Sequence, residues 1–140
     1  MNKMRKLGID YGEARVGIAI TDELCITAQG LETITCNGND KIVLARLDEI
    51  MEQYNIDTIV VGMPVHMNGD KSVRAEITEK FIHKLKCKYN KIKIVSVDER
   101  LTTVQAHRTM NDLNINKKKK RGLVDTISAV YILETYINRI

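Results

Sequence analysis

The stretch Lys6–Thr21, KLGIDYGEARVGIAIT, decides the fold of this 140-residue chain. Two apolar runs within it, Lys6–Tyr11 and Arg15–Thr21, predict strands, and the second run alternates as a half-buried strand does. The turn Gly12–Ala14 is so short that the two strands must be antiparallel. The chain therefore begins with a β-hairpin, and Asp10 lies inside its first strand.

After the hairpin, the hydrophobic pattern alternates between strand and helix periods. In chain order it predicts a strand near Leu31–Cys36, a helix capped by Asn39 that runs to about Tyr54, a strand Thr58–Met63, a helix of about Ser72–Lys88, a strand Lys91–Val97 and a helix from Thr102 to about Leu113. A last helix, Leu123–Asn138, follows and shows mostly apolar residues at helical spacing: Ile127, Val130, Tyr131, Glu134 and Ile137. Right-handed crossovers place the later strands parallel to the first. We expect one α/β domain over residues 1–140: a mixed five-stranded sheet, three antiparallel strands followed by parallel ones, with helices on both faces. This order is typical of the ribonuclease-H-like fold.

Composition and charge exclude several classes of protein. Hydrophobic residues make up 44% of the chain, and no apolar run approaches the ~20 residues that a membrane span needs. Charged residues follow the basic N-terminus too closely for a signal peptide, so we expect a cytoplasmic protein. Cys25, Cys36 and Cys87 are odd in number and include no CxxC pair, which predicts reduced thiols. The net charge of +4 permits a polyanionic partner without requiring one.

Three acidic positions are candidates for catalysis. Asp10 lies in an apolar strand, where a charge is costly without a partner or a cation, although it can also cap the following turn. Asp98 and Glu99 follow a parallel strand, where α/β sheets place their sites, although acids also favour a helix start. Asp125 lies early in the predicted last helix, where it can equally complement the helix dipole. The fold allows all three positions to converge.

Converging carboxylates favour a metal site, because they repel one another and burial increases the cost. A divalent cation relieves the repulsion, and oxygen-only ligands select Mg²⁺ or Mn²⁺ over zinc. His83 and His107 lie on predicted helices without ligand spacing, so we expect no zinc site. A pair of such ions can activate a water and stabilise the leaving oxygen of a phosphodiester.

Basic residues near these acids are candidates for nucleic-acid contacts. They are Arg15, Arg74, Arg100 and the run Lys117, Lys118, Lys119, Lys120 and Arg121. We expect the run to form a loop before the helix of Asp125. A charge run is usually only a solvated loop, but this one adjoins the predicted metal site. Each arginine alone is more often a plain surface residue.

Five stretches of the chain, in order, resemble the YqgF/RuvX family. They are LGIDYGEARVGIAITD, AQGLETI, IVVGMPVHMNGDKSVRAE, VDERLTTVQA and KKKKRGLVDTISAVYIL, and they cover nearly the whole sequence. The family comprises proteins described as pre-16S ribosomal RNA nucleases or as Holliday-junction-resolvase-like. The resemblance implies a ribonuclease-H-like fold whose acidic active-site and metal-binding residues correspond to Asp10, Glu99 and Asp125, with Asp98 as an additional candidate ligand. Ser128 departs from the family pattern, in which alanine is frequent.

The resemblance leaves the substrate open. One hypothesis is a Mg²⁺- or Mn²⁺-dependent nuclease that processes the 5′ end of precursor 16S ribosomal RNA in ribosome biogenesis. A second is a Holliday junction resolvase of DNA recombination and repair, which must be a two-fold dimer to cut two symmetric strands, so either a monomer or a homodimer is expected. A third is a non-catalytic nucleic-acid-binding module, which the presence of all three acids disfavours. A sugar-kinase or actin-like ATPase has a similar phosphate loop but needs two lobes, for which 140 residues leave no room.

Overall fold

The structure, a computed structural model, describes residues 4–64, 73–98 and 117–138. In the last range it describes side chains only from Asp125 onward. These residues form five strands and three helices. The elements are β1 Arg5–Tyr11, β2 Arg15–Thr21, β3 Ala28–Thr35, α1 Asp40–Gln53, β4 Ile56–Met63, α2 Val73–Lys88, β5 Lys93–Asp98 and α3 Lys117–Ile137. Every element predicted within these ranges is present. The predicted helix 102–113 lies outside them.

The strands form one mixed sheet in the order β3-β2-β1-β4-β5. β1 pairs antiparallel with β2 and parallel with β4, β2 pairs antiparallel with β3, and β4 pairs parallel with β5. The predicted α/β class and mixed five-stranded sheet are thereby confirmed. The parallel strands β1, β4 and β5 end at Tyr11, Met63 and Asp98, and we call the side of the sheet where they end the carboxyl edge.

One face of the sheet is covered by α1 and α2. Leu7 of β1, Leu47 of α1 and Phe81 of α2 are fully buried in one hydrophobic cluster there. Burying one such side chain contributes roughly 1.5–3 kcal/mol, so this face anchors both helices. α1 begins where the sequence predicts, because the Asn39 side chain accepts a hydrogen bond from the Lys41 backbone N–H at 3.1 Å.

The other face is covered by α3. Its fully buried residues are Ser128, Ala129, Ile132 and Leu133. The face predicted from the sequence is therefore shifted: its residues, Ile127, Val130 and Ile137, are only partly buried. The shift arises because a glycine track on the strands, Gly8, Gly17 and Gly30, lets the helix backbone and its small residues lie directly on the sheet. No helix in the described part of the chain is long and apolar enough to cross a membrane.

The basic run is helical, so the loop predicted for it is wrong. α3 begins at Lys117, and the backbone of Lys117–Arg121 forms its first turn and the start of its second. Lysine and arginine are good helix formers, and repulsion between like charges one turn apart costs only a few tenths of a kcal/mol per pair. Gly122 lies inside the helix at a cost of roughly 1 kcal/mol. The packing of the later turns on the sheet offsets both costs.

Candidate active site

The candidate site lies at the carboxyl edge, where β1 ends at Tyr11 and β2 begins at Arg15. Asp10 of β1 is directly opposite Gly17 of β2. Residues directly opposite each other in a sheet point to the same face. Because side chains alternate along a strand, Ile9 and Tyr11 join the cluster under α1 and α2, whereas Asp10 faces α3.

Gly17 brings the backbone of α3 against β2 at Asp125. A Cβ atom at Gly17 would lie 2.1 Å from the Asp125 carbonyl oxygen, so no other residue fits there without moving the helix. Since Gly17 is the cross-strand neighbour of Asp10, this contact places Asp125 alongside Asp10. Two of the three predicted catalytic acids, far apart in sequence, are therefore brought together.

The rest of the glycine track continues this close packing along α3. A Cβ at Gly8 would lie 2.8 Å from the Ala129 carbonyl oxygen, and one at Gly30 would lie 2.2 Å from Cγ2 of Thr126. The hydroxyl groups of Thr126 and Thr33 are 2.7 Å apart and share a hydrogen bond between α3 and β3. These contacts set the height and register of the helix residue next to them, Asp125.

Arg15 holds one oxygen of the Asp125 carboxylate. Its Nε donates a hydrogen bond to Oδ2 of Asp125 at 2.7 Å, and the two side chains are 35% and 19% exposed. Asp125 is the ninth residue of α3, so the helix dipole, which acts within the first turn, does not account for it. The alternative explanation of Asp125 as a first-turn acid is thereby wrong, because α3 starts earlier than expected.

Tyr11 anchors the end of β1 to both helices of the opposite face. Its hydroxyl donates to Oδ1 of Asp40 at 2.5 Å, and its ring stacks on Phe81 at a centroid distance of 4.2 Å. Burial and the Asp40 carboxylate raise the pKa of the Tyr11 hydroxyl, so it stays a proton donor at neutral pH. Nη2 of Arg74 donates to the Tyr11 carbonyl oxygen at 3.0 Å. The residue next to Asp10 is thus fixed on three sides, which limits how far Asp10 can move.

The donor set at this site consists of carboxylates, which suits a hard divalent cation. Asp10 and Asp125 supply two of them, but within residues 4–64, 73–98 and 117–138 no three His, Cys, Asp or Glu side chains lie close enough together to hold a metal ion. The third predicted acid, Glu99, lies outside these residues. Asp98 pairs with Met63, which packs on the α1–α2 face, so Asp98 projects from the face opposite Asp10.

The predicted basic residues are described unequally. Arg15 and Arg74 both lie at the carboxyl edge, one on Asp125 and the other on the Tyr11 carbonyl. Arg100 falls outside the described residues, and for Lys117–Arg121 only the helical backbone is described. The three cysteines are free thiols, as predicted.

Sequence reasoning missed the residues that position the acids. Gly17 stands among apolar strand residues, and an isolated glycine in a strand signals a close backbone approach. That signal is present in the sequence, but it does not say which element approaches. Thr33 and Thr126 carry no local signal, because their contact joins positions that are adjacent only in the folded chain.

Solved structures with a similar fold include two resolvases. Thermus thermophilus RuvC in complex with a Holliday junction substrate matches with a TM-score of 0.56 at 13% identity, covering 97% of this chain and 95% of that one. The fowlpox virus Holliday junction resolvase matches with a TM-score of 0.60 at 13% identity, covering 97% and 99%. At this identity the likeness shows the fold alone, which is the ribonuclease-H-like fold of RuvC-type proteins.

Relatives at much higher identity define the family. The family model described as RuvX, Holliday junction resolvase, matches residues 4–139. A protein of Ruminiclostridium cellulolyticum is 52% identical over 98% of this chain and 96% of its own length, and one of Acetivibrio thermocellus is 48% identical over 96% of each. Both carry the name "Putative pre-16S rRNA nuclease". The chain belongs to the RuvX family of nucleases.

Proposed function

We propose that this protein is a metal-dependent endonuclease that trims the 5′ end of precursor 16S ribosomal RNA in the cytoplasm. The observation that carries the proposal is the convergence of Asp10 and Asp125 across Gly17 at the carboxyl edge. Two acidic residues placed on neighbouring backbone positions of one sheet face suit phosphodiester hydrolysis. The proposed substrate, precursor 16S ribosomal RNA, is the one given in the names of the two similar proteins described above.

Asp10, Asp125 and Glu99 are the proposed ligands of Mg²⁺ or Mn²⁺. Glu99 is preferred over Asp98 because Asp98 projects from the face opposite Asp10. When bound, the ions would supply an activated water and charge stabilisation for the leaving oxygen. The contribution of the chain is positional: Gly17 fixes the height of Asp125, and the anchored end of β1 holds Asp10.

The predicted basic residues are the proposed contacts for substrate phosphates. Arg15 and Arg74 lie on either side of the end of β1, one toward α3 and one toward α2. Arg100 and Lys117–Arg121 complete the proposed set. Such contacts hold the backbone of a nucleic acid without selecting its sequence.

A Holliday junction resolvase is the second candidate, because the matching family model carries that description. It predicts a two-fold homodimer, since two symmetric strands must be cut, whereas the ribosomal RNA nuclease needs one active site per cut.

A cleavage assay separates the two. The purified protein is incubated with a precursor 16S RNA fragment and with a four-way DNA junction, with and without Mn²⁺, beside Asp10→Asn as the control for contaminating nucleases. We expect Mn²⁺-dependent cutting of the RNA at a defined 5′ position by the wild type only. Symmetric cutting of the junction with intact RNA would select the resolvase, and no cutting of either substrate would reject nuclease activity.

A further inference from the structure

A second concentration of positive charge lies away from the carboxyl edge. Residues 80–97 contain six lysines and no acidic residue, a charge of +6 in a chain whose net charge is +4, so the remaining residues sum to −2. All six are exposed: Lys80, Lys84, Lys86, Lys88, Lys91 and Lys93. They run from the second half of α2 to the first residue of β5.

Helix α1 neutralises only the part of this charge that faces it. Lys84 pairs with Asp40 at 2.8 Å, and Lys88 pairs with Asp48 at 3.0 Å. The lysines on the other side of α2 and around the start of β5 form no ion pair with the residues that the structure describes; we call Lys86, Lys91 and Lys93 the β5-edge lysines. Charge that no carboxylate in the described ranges neutralises is available to an external anion.

The shape of this region suits an extended polyanion. β5 is the last strand at its end of the sheet, and a shallow groove of about 360 Å³ runs between it and α2. Lys86 and His83 line the groove from α2, and Ser96 lines it from β5. Glu79 also lines it, so phosphate groups are favoured beside Lys86 and disfavoured toward the start of α2. Lys93 lies on the other face of β5, with its Nζ 5.9 Å from the centre of the Tyr136 ring of α3, so the β5-edge lysines flank the edge of the sheet from both faces.

We propose that the β5-edge lysines bind the phosphate backbone of the substrate at a distance from the cut, so that the enzyme selects long, double-stranded nucleic acid. The proposal rests on the nuclease function proposed above. Asp10 lies level with Val97 in the sheet, so two strand spacings and four residues of β5 separate Lys93 from it, roughly 16 Å in all. At about 3.4 Å per base step, a duplex would have to extend some five base pairs beyond the cut to reach both.

The charge pattern favours nucleic acid over other partners. The β5-edge lysines lie on the protein that carries the nuclease site, within reach of the same duplex. Glu76 and Glu79 lie between Arg74 and Lys86 on α2, so the phosphates would be held at two separated places. A duplex presents phosphates in this way, because a groove separates its two backbones.

The test measures binding to RNA hairpins with stems of about 8 and 24 base pairs at several salt concentrations. All proteins carry Asp10→Asn to prevent cutting. One adds Lys86→Ser, Lys91→Ser and Lys93→Ser, and the matched control adds Lys41→Ser, Lys84→Ser and Lys88→Ser, which removes the same charge elsewhere. For the long stem, we expect the slope of log affinity against log salt to be shallower in the β5-edge variant by about 2 to 3. This value corresponds to three lost phosphate contacts, each of which contributes about 0.7 to 0.9 to the slope. The short stem should lose little affinity, and the control should lose little with either stem.

Two outcomes would overturn the proposal. An unchanged slope for the long stem would show that these lysines face only solvent or bind a different partner. An equal loss of affinity for both stems, or for the control, would show a general effect of net charge rather than a local interaction. Cleavage of the short stem in Mn²⁺ is measured separately with proteins that keep Asp10. No cleavage there would contradict the proposed nuclease function, whereas an unchanged salt slope would contradict only the second binding surface.

Discussion

At the scale of single residues, the site depends on two carboxylates whose surroundings differ. Asp10 lies within a strand of the sheet, and Asp125 lies on the helix that crosses it, with one oxygen held by Arg15. Conversion of either acid to its amide keeps the shape and removes the charge. The two positions therefore allow chemistry to be tested separately from folding.

Asp10→Asn is expected to abolish cleavage and leave the fold intact. The substitution removes a proposed metal-ligand charge, and it also lowers the repulsion between neighbouring carboxylates, so stability in metal-free buffer should stay the same or rise. Cleavage rate and thermal midpoint of the purified variant are the measurements. Wild-type cleavage would remove Asp10 from the proposed site.

Arg15→Gln is expected to change metal binding and nucleic-acid binding in opposite directions. Loss of a partly buried ion pair frees the Asp125 carboxylate, so Mn²⁺ should bind more tightly by roughly fivefold, which corresponds to about 1 kcal/mol. Removal of a phosphate-binding group should flatten the salt dependence of nucleic-acid binding by about 0.7 to 0.9. Titration calorimetry with Mn²⁺ measures the first effect, and weaker Mn²⁺ binding would instead show that Arg15 orients Asp125 for the metal.

At the scale of elements, the decisive contact is that of α3 with the glycine track. The helix backbone touches β2 at Gly17, and this closeness is possible only without a side chain there. α3 begins with the basic run and carries Asp125 in its third turn. One helix therefore carries both proposed phosphate contacts and a proposed metal ligand. A displacement of α3 would move the acid and the basic residues together.

Gly17→Ala is expected to lower activity more than stability. The new methyl group would meet a backbone oxygen that cannot swing away, so α3 must shift at Asp125. Overpacking of this kind costs roughly 1–3 kcal/mol, whereas a misplacement of about 1 Å can reduce a rate by about 100-fold. Cleavage rate and thermal midpoint of the purified variant are the measurements. An unchanged cleavage rate in the folded variant would contradict the positioning role of Gly17.

Replacement of Lys117–Lys120 by glutamine is expected to weaken binding to all sequences about equally. Glutamine preserves helix propensity, so the helical start of α3 should survive, as circular dichroism can check. For each phosphate that the variant no longer binds, the plot of log affinity against log salt should flatten by roughly 0.7 to 0.9. An unchanged slope would mean that these side chains face water and that the phosphates follow Arg15, Arg74 and Arg100.

At the scale of the whole molecule, the sheet separates a structural face from a chemical one. The α1–α2 face carries the larger buried cluster and the network around Tyr11, whereas the α3 face carries the acids and the glycine track. Substitutions in the first cluster should therefore act mainly through stability. Those beneath α3 should act through the geometry of the site.

Activity is expected to require added Mg²⁺ or Mn²⁺ and not to be restored by Zn²⁺. The proposed ligands are all carboxylates, and zinc sites usually include histidine or cysteine. The measurement is cleavage after dialysis against EDTA and return of each ion in turn. Full turnover in excess EDTA would exclude a metal-dependent mechanism.

Much of the architecture was predictable because it depends on local pattern. The opening hairpin, the capped start of α1 and the near-continuous apolar strand β4 follow from short-range periodicity and turn length, and all are observed. The start and the buried face of α3 were not predictable in this way. Gly122 and the repulsion between like charges in the lysine run disfavour a helix there, and the packing of later turns on the sheet offsets both costs.

The sequence by itself determined the fold class, the family resemblance and the candidate acids, because these depend on residue type and on order along the chain. Only the tertiary structure decided which candidates meet. Asp10 and Asp125 are 115 positions apart, and their meeting depends on the strand register that sets Asp10 opposite Gly17 and on the helix that rests on that glycine. The ion pair of Arg15 with Asp125 has the same origin. Contacts across such separations are properties of packing between elements, which no local pattern encodes.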